Sequence, residues 1–192
     1  MTGIRCFIAV EVDDAAVMKR LIHTQKELLS SGAKLKLVSS ENLHFTLHFL
    51  GNIDEGRIGE LDELLHQVKG SPFELELVGT GCFRPQRPRV IWIGCTNGAE
   101  QMIQHQRFLG HRLREHGFPF EKRKYSPHLT IARVRSGVNR IELMDVVQKY
   151  ADQNFGSFVV KSIKLKKSTL TPKGPIYEDL VVKTLSENDT ED

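Results

Sequence analysis

Residues 43–51 read Leu43-His44-Phe45-Thr46-Leu47-His48-Phe49-Leu50-Gly51, and the word at their centre, His44-Phe45-Thr46-Leu47, returns as His128-Leu129-Thr130-Ile131. The second copy lies in Pro127-His128-Leu129-Thr130-Ile131-Ala132-Arg133-Val134. Each copy is His-x-Thr-apolar within an apolar, β-prone run. Alternate side chains of a strand share a face. His44 and Thr46 therefore point one way together, and so do His128 and Thr130. Two such strands can present two imidazoles and two hydroxyls to one cleft. One imidazole can take a proton while the other gives one, and the hydroxyls can donate to an oxyanion. That inventory suits hydrolysis of a phosphodiester without a metal.

Outward from the two words, the chain alternates strand and helix signals. A strand is expected over Ile4–Val12. A helix capped by Asp13 or Asp14 follows to about Ser31, with Gly32 as its stop. Strands are expected at Leu35–Val38 and Leu43–Leu50, with a turn at Gly51-Asn52. A second helix runs from Asp54 or Glu55 to about Val68. Strands Phe73–Val78 and Val90–Ile93 flank a Pro/Arg-rich loop, Arg84–Arg89. Ala99–His116 is a long helix, Leu129–Val134 the second motif strand and Ile141–Tyr150 a helix. Phe158–Leu170 and Tyr177–Leu185 are strands joined by the turn Thr171-Pro172-Lys173-Gly174-Pro175. The order β-α-β-β-α-β-β, then α-β-α-β-β, predicts an α+β fold. It is bilobal, with two mostly antiparallel sheets, helices on their outer faces and a pseudo-twofold arrangement around a central cleft. One bilobal domain spans residues 1–185, and residues 186–192 form a polar, acidic tail expected to be disordered.

Composition narrows the setting. The chain has 192 residues and a net charge of only +3, too little for bulk coating of nucleic acid. Its basic residues do cluster: Arg84, Arg87 and Arg89; Lys122, Arg123 and Lys124, with Arg133 and Arg135 beyond the second motif; and Lys161, Lys164, Lys166 and Lys167. The bland reading of each cluster is a solvated surface. The middle group flanks a His-x-Thr word and is the one to place at a phosphate site. Cys6, Cys82 and Cys95 have no metal-type spacing and read as reduced core thiols of a cytosolic protein. No apolar stretch approaches transmembrane length.

A lone histidine on a strand is more often structural than catalytic; the repeated offset to Thr is what separates this pair from that reading. A metal site is the sharper competitor, because His44 and His48 are spaced H-x-x-x-H. On a strand the two rings start about 13 Å apart, too far to share an ion. The other histidines, His23, His66, His105, His111 and His116, fall on predicted helices and read as solvent-facing. No dinucleotide fingerprint or phosphate-cradling glycine loop is present.

The two words together resemble the mark of the two-histidine (2H) phosphoesterases. The resemblance extends to Arg5-Cys6-Phe7-Ile8-Ala9-Val10, Asn42–Gly51, Pro88-Arg89-Val90-Ile91-Trp92, Tyr125–Arg133 and Gly174-Pro175-Ile176-Tyr177. These blocks are similar to the RNA 2′,3′-cyclic phosphodiesterase (2′-5′ RNA ligase) branch. The resemblance implies hydrolysis of RNA 2′,3′-cyclic phosphate ends to 2′-phosphomonoesters without cofactor or metal, with His128 as base and His44 as acid. It also brings a 2′-5′ ligase activity into view. Thr46 and Thr130 would hold the non-bridging oxygens, and Arg133 the phosphate. In a regular strand Arg133 points away from His128, so it reaches the site only through a twist or bulge. Phe49 has the same parity difficulty as a base-stacking residue, with core packing as its alternative; Phe120 and Tyr125 are further stacking candidates. The expected partners are RNA ends or nucleotide 2′,3′-cyclic phosphates, with no membrane and a monomeric protein. A non-catalytic nucleotide- or RNA-binding module, and a 2H phosphodiesterase for another 2′-linked nucleotide, are the alternatives.

Overall fold

Five consecutive buried residues, Cys6 to Val10, show that β1 (Gly3–Glu11) is covered on both faces. The computed structural model describes residues 3–172 and 174–187. Lys173 of the expected turn and residues 188–192 of the expected tail lie outside them.

After β1, the Asp14 carboxylate accepts from the backbone N–H groups of Ala16 and Val17, at 2.9 and 2.8 Å, and starts α1 (Ala15–Ser30). The remaining strands are β2 (Leu35–Leu37), β3 (His44–Asp54), β4 (Phe73–Cys82), β5 (Val90–Cys95), β6 (Leu129–Val134), β7 (Asn154–Val160), β8 (Ser162–Thr171) and β9 (Gly174–Thr184). The remaining α-helices are α2 (Ile58–His66), α3 (Ala99–Glu115) and α4 (Arg140–Lys149).

Three expectations about single elements or residues need correction. β3 does not turn at Gly51-Asn52. It continues to Asp54, and Gly51, at φ +71°, sits beside an irregularity in the pairing with β1 that leaves Leu50 unmatched. The single strand expected over Phe158–Leu170 is two, parted at Lys161: β7 pairs with β4, and β8 with β1. His105 is buried, not solvent-facing, with its ring centroid 5.7 Å from that of Phe73.

The strands pair antiparallel in the order β7-β4-β5-β6-β3-β1-β8-β9, with β2 on β6. The two expected sheets are therefore one continuous sheet. Its halves, β7-β4-β5-β6 and β3-β1-β8-β9, meet at the pair Phe45↔Leu129. Each half has a motif strand at the seam and three strands outward. Helices α1 and α4 cover the first half, and α2 and α3 the second. The core lies between sheet and helices and includes Ile8, Val10, Phe45, Leu47, Leu129 and Ile131. Among the described residues no helix is long and apolar enough to cross a membrane.

Candidate active site

The pair Phe45↔Leu129 sets the two words side by side. One step either way along this antiparallel register sets Thr130 opposite His44 and His128 opposite Thr46. Directly opposed residues share a face and lie within about 5.5 Å at Cβ. Two imidazoles and two hydroxyls thus form a four-cornered cluster across the seam. Neither threonine hydroxyl has a hydrogen-bond partner among the described residues.

Each motif strand carries a one-residue bulge just past its threonine. β1 alternates regularly, and its Phe7, Ala9 and Glu11 face Phe49, Thr46 and His44, which leaves Leu47 unmatched. On β6, Thr130 faces Trp92 and Arg133 faces Val90, which leaves Ile131 unmatched. A bulge inserts one residue and reverses the parity of everything after it. Phe49 therefore joins His44 and Thr46 on the cleft face, and Arg133 joins Thr130. Both parity difficulties read from the sequence are resolved by the same device. Phe49 is 57% exposed, so of its two readings core packing fails. The Ile131 carbonyl at the bulge is not stranded: it accepts from Val38 N–H at 2.9 Å and from Nε2 of Gln25, on α1, at 2.8 Å.

The first bulge also sends His48 to the helical side. Its Nε2 donates to the Gln106 carbonyl at 2.7 Å, and its Nδ1 accepts from Glu121 N–H at 3.2 Å. His48 is a buried, satisfied ring, and the H-x-x-x-H spacing joins nothing. Among the described residues no three His, Cys, Asp or Glu side chains converge on a cation position.

Both cleft histidines are held alike. His44 Nδ1 lies 2.7 Å from the Asn42 carbonyl, and His128 Nδ1 lies 2.8 Å from that of Ser126. The Asn42 side-chain amide in turn donates to the Pro175 carbonyl at 3.2 Å, tying His44 to the start of β9. Burial is the main influence on His44 and pushes its ring down to about 4. The Asn42 carbonyl and Glu11 oppose that shift, while Lys166 and Arg133 add to it.

Around His44 stand residues that the sequence reading did not place at the site. The ring centroids of Phe7 and Tyr177 lie 4.9 and 5.4 Å from that of His44, and Phe7 lies 6.3 Å from Phe49. Beyond Phe7, Lys164 and Lys166 each bridge both Glu11 and Asp179, closing a ring of four charges. Lys166 is only 4% exposed, so the solvated-surface reading of the third basic cluster fails there. Burial raises the carboxyls of Glu11 and Asp179, but hydrogen bonds and charge from both lysines outweigh it and hold each below its ordinary value. The signal missed was positional: Glu11, Lys164, Lys166 and Asp179 converge only once β1, β8 and β9 are in register.

Around His128 the neighbour is Phe83, edge-on with centroids 5.0 Å apart, itself 5.7 Å from Trp92. Trp92 lies across the facing strand at Gly81, where a Cβ would come within 2.3 Å of the indole.

The remaining candidates lie elsewhere. Lys122, Arg123 and Lys124 do not gather with the four motif side chains. They line a groove of about 430 Å³ against α3, together with Arg107, Arg114, Phe120 and Tyr125. Phe120 and Tyr125 rest against the core, and Lys122 Nζ lies 5.8 Å from the Phe120 ring centroid. The middle basic cluster is thus divided: Lys122, Arg123 and Lys124 line this groove, while Arg133 shares the face of Thr130.

The chain is similar to known proteins over most of its length. The family described as the AKAP7 2′5′ RNA ligase-like domain matches residues 6–181. The RNA 2′,3′-cyclic phosphodiesterase of Archaeoglobus fulgidus is 39% identical over 179 residues, covering 93% of this chain and 98% of its own. The protein of the same name from Methanothermobacter thermautotrophicus is 37% identical over 182 residues, covering 93% and 97%. Among solved structures, TT0787 of Thermus thermophilus superposes with a TM-score of 0.80 at 28% identity, over 95% of this chain and 99% of that one. Apo LigT of Escherichia coli, at 23% identity, shares the fold with a TM-score of 0.79 over 97% and 100%. With a family match over almost its whole length and two His-x-Thr strands meeting at one seam, this chain belongs to the AKAP7 2′5′ RNA ligase-like family of two-histidine phosphoesterases.

Proposed function

We propose that the protein hydrolyses RNA 2′,3′-cyclic phosphate ends to 2′-phosphomonoesters by acid–base catalysis between His128 and His44, with no metal or cofactor. The observation that carries this reading is the opposition of His44 to Thr130 and of Thr46 to His128 across the seam. A phosphate resting there has an imidazole on each side and a hydroxyl donor from each strand. His128 takes the proton of the attacking water as its oxygen bonds to phosphorus. The P–O3′ bond breaks, and His44 gives its proton to the leaving 3′ oxygen. In the free protein the ring of His44 is held neutral by burial. A bound phosphodiester brings the negative charge that favours the imidazolium, so the acid is charged as substrate arrives. Thr46 and Thr130 donate to the non-bridging oxygens, Arg133 neutralises them, and Phe49 stacks on the base.

The names of the relatives support RNA ends as substrate. Free thiols at Cys6, Cys82 and Cys95 suit a reducing cytosol, where the protein acts as a monomer. The test is phosphorus NMR of a nucleoside 2′,3′-cyclic phosphate turned over in excess chelator. A 2′-phosphomonoester is expected. A 3′-phosphomonoester, or activity that requires an added divalent ion, overturns the mechanism; binding without turnover makes the protein a nucleotide-binding module.

A further inference from the structure

Four cations line the groove between α3 and the loop Phe120–Tyr125 without a partner. Arg107, Arg114, Lys122 and Lys124 are exposed, and none makes a hydrogen bond or ion pair among the described residues. The other two basic side chains there are engaged: Arg123 Nε lies 3.1 Å from a Glu121 carboxylate oxygen, and His111 Nδ1 lies 3.4 Å from one of Glu115. The whole chain carries a net charge of only +3, so an unneutralised group of this size is a local feature that attracts anions. Its layout selects the kind of anion. Arg107 and Arg114 start two turns apart on α3, about 10 Å along its axis at 1.5 Å per residue. Lys122 and Lys124 stand on the facing loop. Charge laid out along a groove in this way matches a string of phosphates better than a single one. Ile103, Phe120 and Tyr125 add the apolar surface on which bases rest.

The groove lies beside both motif strands. Tyr125 comes three residues before His128, so their Cα atoms are at most about 11 Å apart. The Glu121 N–H donates to His48 Nδ1 at 3.2 Å, and His48 adjoins Phe49, the residue that carries the base in the phosphodiesterase reading. Gly110 lets α3 close on the same imidazole, since a Cβ there would come within 3.1 Å of it. A 2′,3′-cyclic phosphate is the 3′ end of its RNA. The rest of the strand therefore leaves the cleft through the 5′ oxygen of the terminal nucleoside and needs a path over the surface.

We propose that this groove binds the single-stranded RNA 5′ of the cyclic end, with Arg107, Arg114, Lys122 and Lys124 on its phosphates. The proposal rests on the phosphodiesterase reading and narrows its substrate. Chemistry needs only the terminal nucleoside, whereas recognition extends to the strand behind it. An RNA end is then preferred to a free nucleoside 2′,3′-cyclic phosphate. The four cations stand apart from the four motif side chains, so a substrate without a strand reports on the cleft alone.

The test measures kcat/KM for a short single-stranded RNA ending in a 2′,3′-cyclic phosphate and for the matching nucleoside 2′,3′-cyclic phosphate, over a range of salt. The ratio of the two should exceed unity in wild type and fall as salt rises, with a logarithmic slope of about 0.7 for each phosphate neutralised. Arg107→Gln with Arg114→Gln, and Lys122→Gln with Lys124→Gln, should each lower the ratio about 2-fold to 30-fold, the range of two exposed ion pairs, and flatten its salt dependence. The nucleoside rate should stay as it was, which also reports an intact fold. Lys19→Gln with Lys26→Gln removes the same charge from α1, on the other half of the sheet, and should leave the ratio alone. An unchanged ratio in both groove variants overturns the proposal. So does an equal fall in the α1 variant, which would make the effect one of net charge. A wild-type ratio of unity at every salt concentration also overturns it, and the phosphodiesterase reading then stands. A wild-type enzyme inert to both substrates removes that reading first, and the proposal with it.

Discussion

The carbonyl oxygen of Asn42 lies 2.7 Å from Nδ1 of His44. A carbonyl only accepts, so Nδ1 carries the hydrogen and the lone pair of the neutral ring is at Nε2. Ser126 does the same to His128 at 2.8 Å. Both rings are thus reactive at the same nitrogen, and the tautomer of each is set by main chain two residues before it, whatever side chain stands there. The working unit is five residues long, and its first member acts on the ring through its carbonyl.

Loss of either histidine should be severe. His44→Ala and His128→Ala should each lower kcat roughly 10²–10⁴-fold. The double variant should fall well short of the product of the single losses, because both rings act in one transition state. Thr46→Ala or Thr130→Ala should cost on the order of 10–10³-fold, as for a lost oxyanion donor. Steady-state kinetics on a 2′,3′-cyclic nucleotide checks all three, and a near-wild-type rate for either histidine variant would make that ring structural.

The depressed His44 predicts an acid-sensitive fold. Its ring goes from 6.5 in a free side chain to about 4 in the protein. As pH falls below 6.5 the unfolded chain binds a proton that the folded one refuses. Stability present above that pH is therefore lost down to about 4, on the order of 3 kcal/mol in all. Urea midpoints at pH 7 and pH 4.5 should differ more for wild type than for His44→Gln. Proton NMR should show the His44 titration move upward when a nucleoside 2′-monophosphate binds, since the anion favours the charged ring.

The two residues turned by the bulges should separate phosphate from base. Arg133→Ala should weaken inhibition by inorganic phosphate and by a nucleoside 2′-monophosphate alike, about 10-fold to 100-fold, as for a charge-assisted hydrogen bond. Phe49→Ala should weaken the nucleotide about 10-fold through the lost stack and leave inorganic phosphate as it was. Equal effects of the two substitutions on both inhibitors would dissolve the distinction.

Lys166→Met should act on both stability and the site. It leaves Glu11 and Asp179 with Lys164 as their remaining partner in the ring of charges. Both carboxyls are about a third exposed. The cost should therefore be about 1–3 kcal/mol, below the roughly 3–5 of a fully buried broken pair. Because Lys166 helps to hold His44 down, the substitution should raise the His44 titration. Urea denaturation and an NMR titration of the same variant measure the two effects.

The four side chains that meet at the seam were legible because each word stays in strand alternation from His to Thr, where period two is enough. Past Thr46 and Thr130 alternation misleads, since the strands bulge at Leu47 and Ile131, and neither residue differs in kind from its neighbours. The bulge does leave a trace in burial: Leu47-His48 and Ile131-Ala132 are buried in succession on strands that alternate up to that point. The place of Phe7, Tyr177 and Phe83 beside the histidines was not legible, although Phe7 and Tyr177 lie in resembling blocks, because that nearness is made by pairing between distant strands. The Lys122–Lys124 cluster misled for the opposite reason: it adjoins His128 in sequence, while the chain between them carries it to the helical side.

The seam at Phe45↔Leu129 gives the site a second meaning. Elsewhere the sheet is stitched by several pairs between each two neighbours, so the boundary between its halves is the line along which it is most lightly sewn. The side chains that would grip a phosphate are drawn from both banks of that line. A bound substrate is then a brace as well as a reactant: it fastens two half-structures through the same four groups that transform it, and its departure as product returns the join to one hydrogen-bonded bridge.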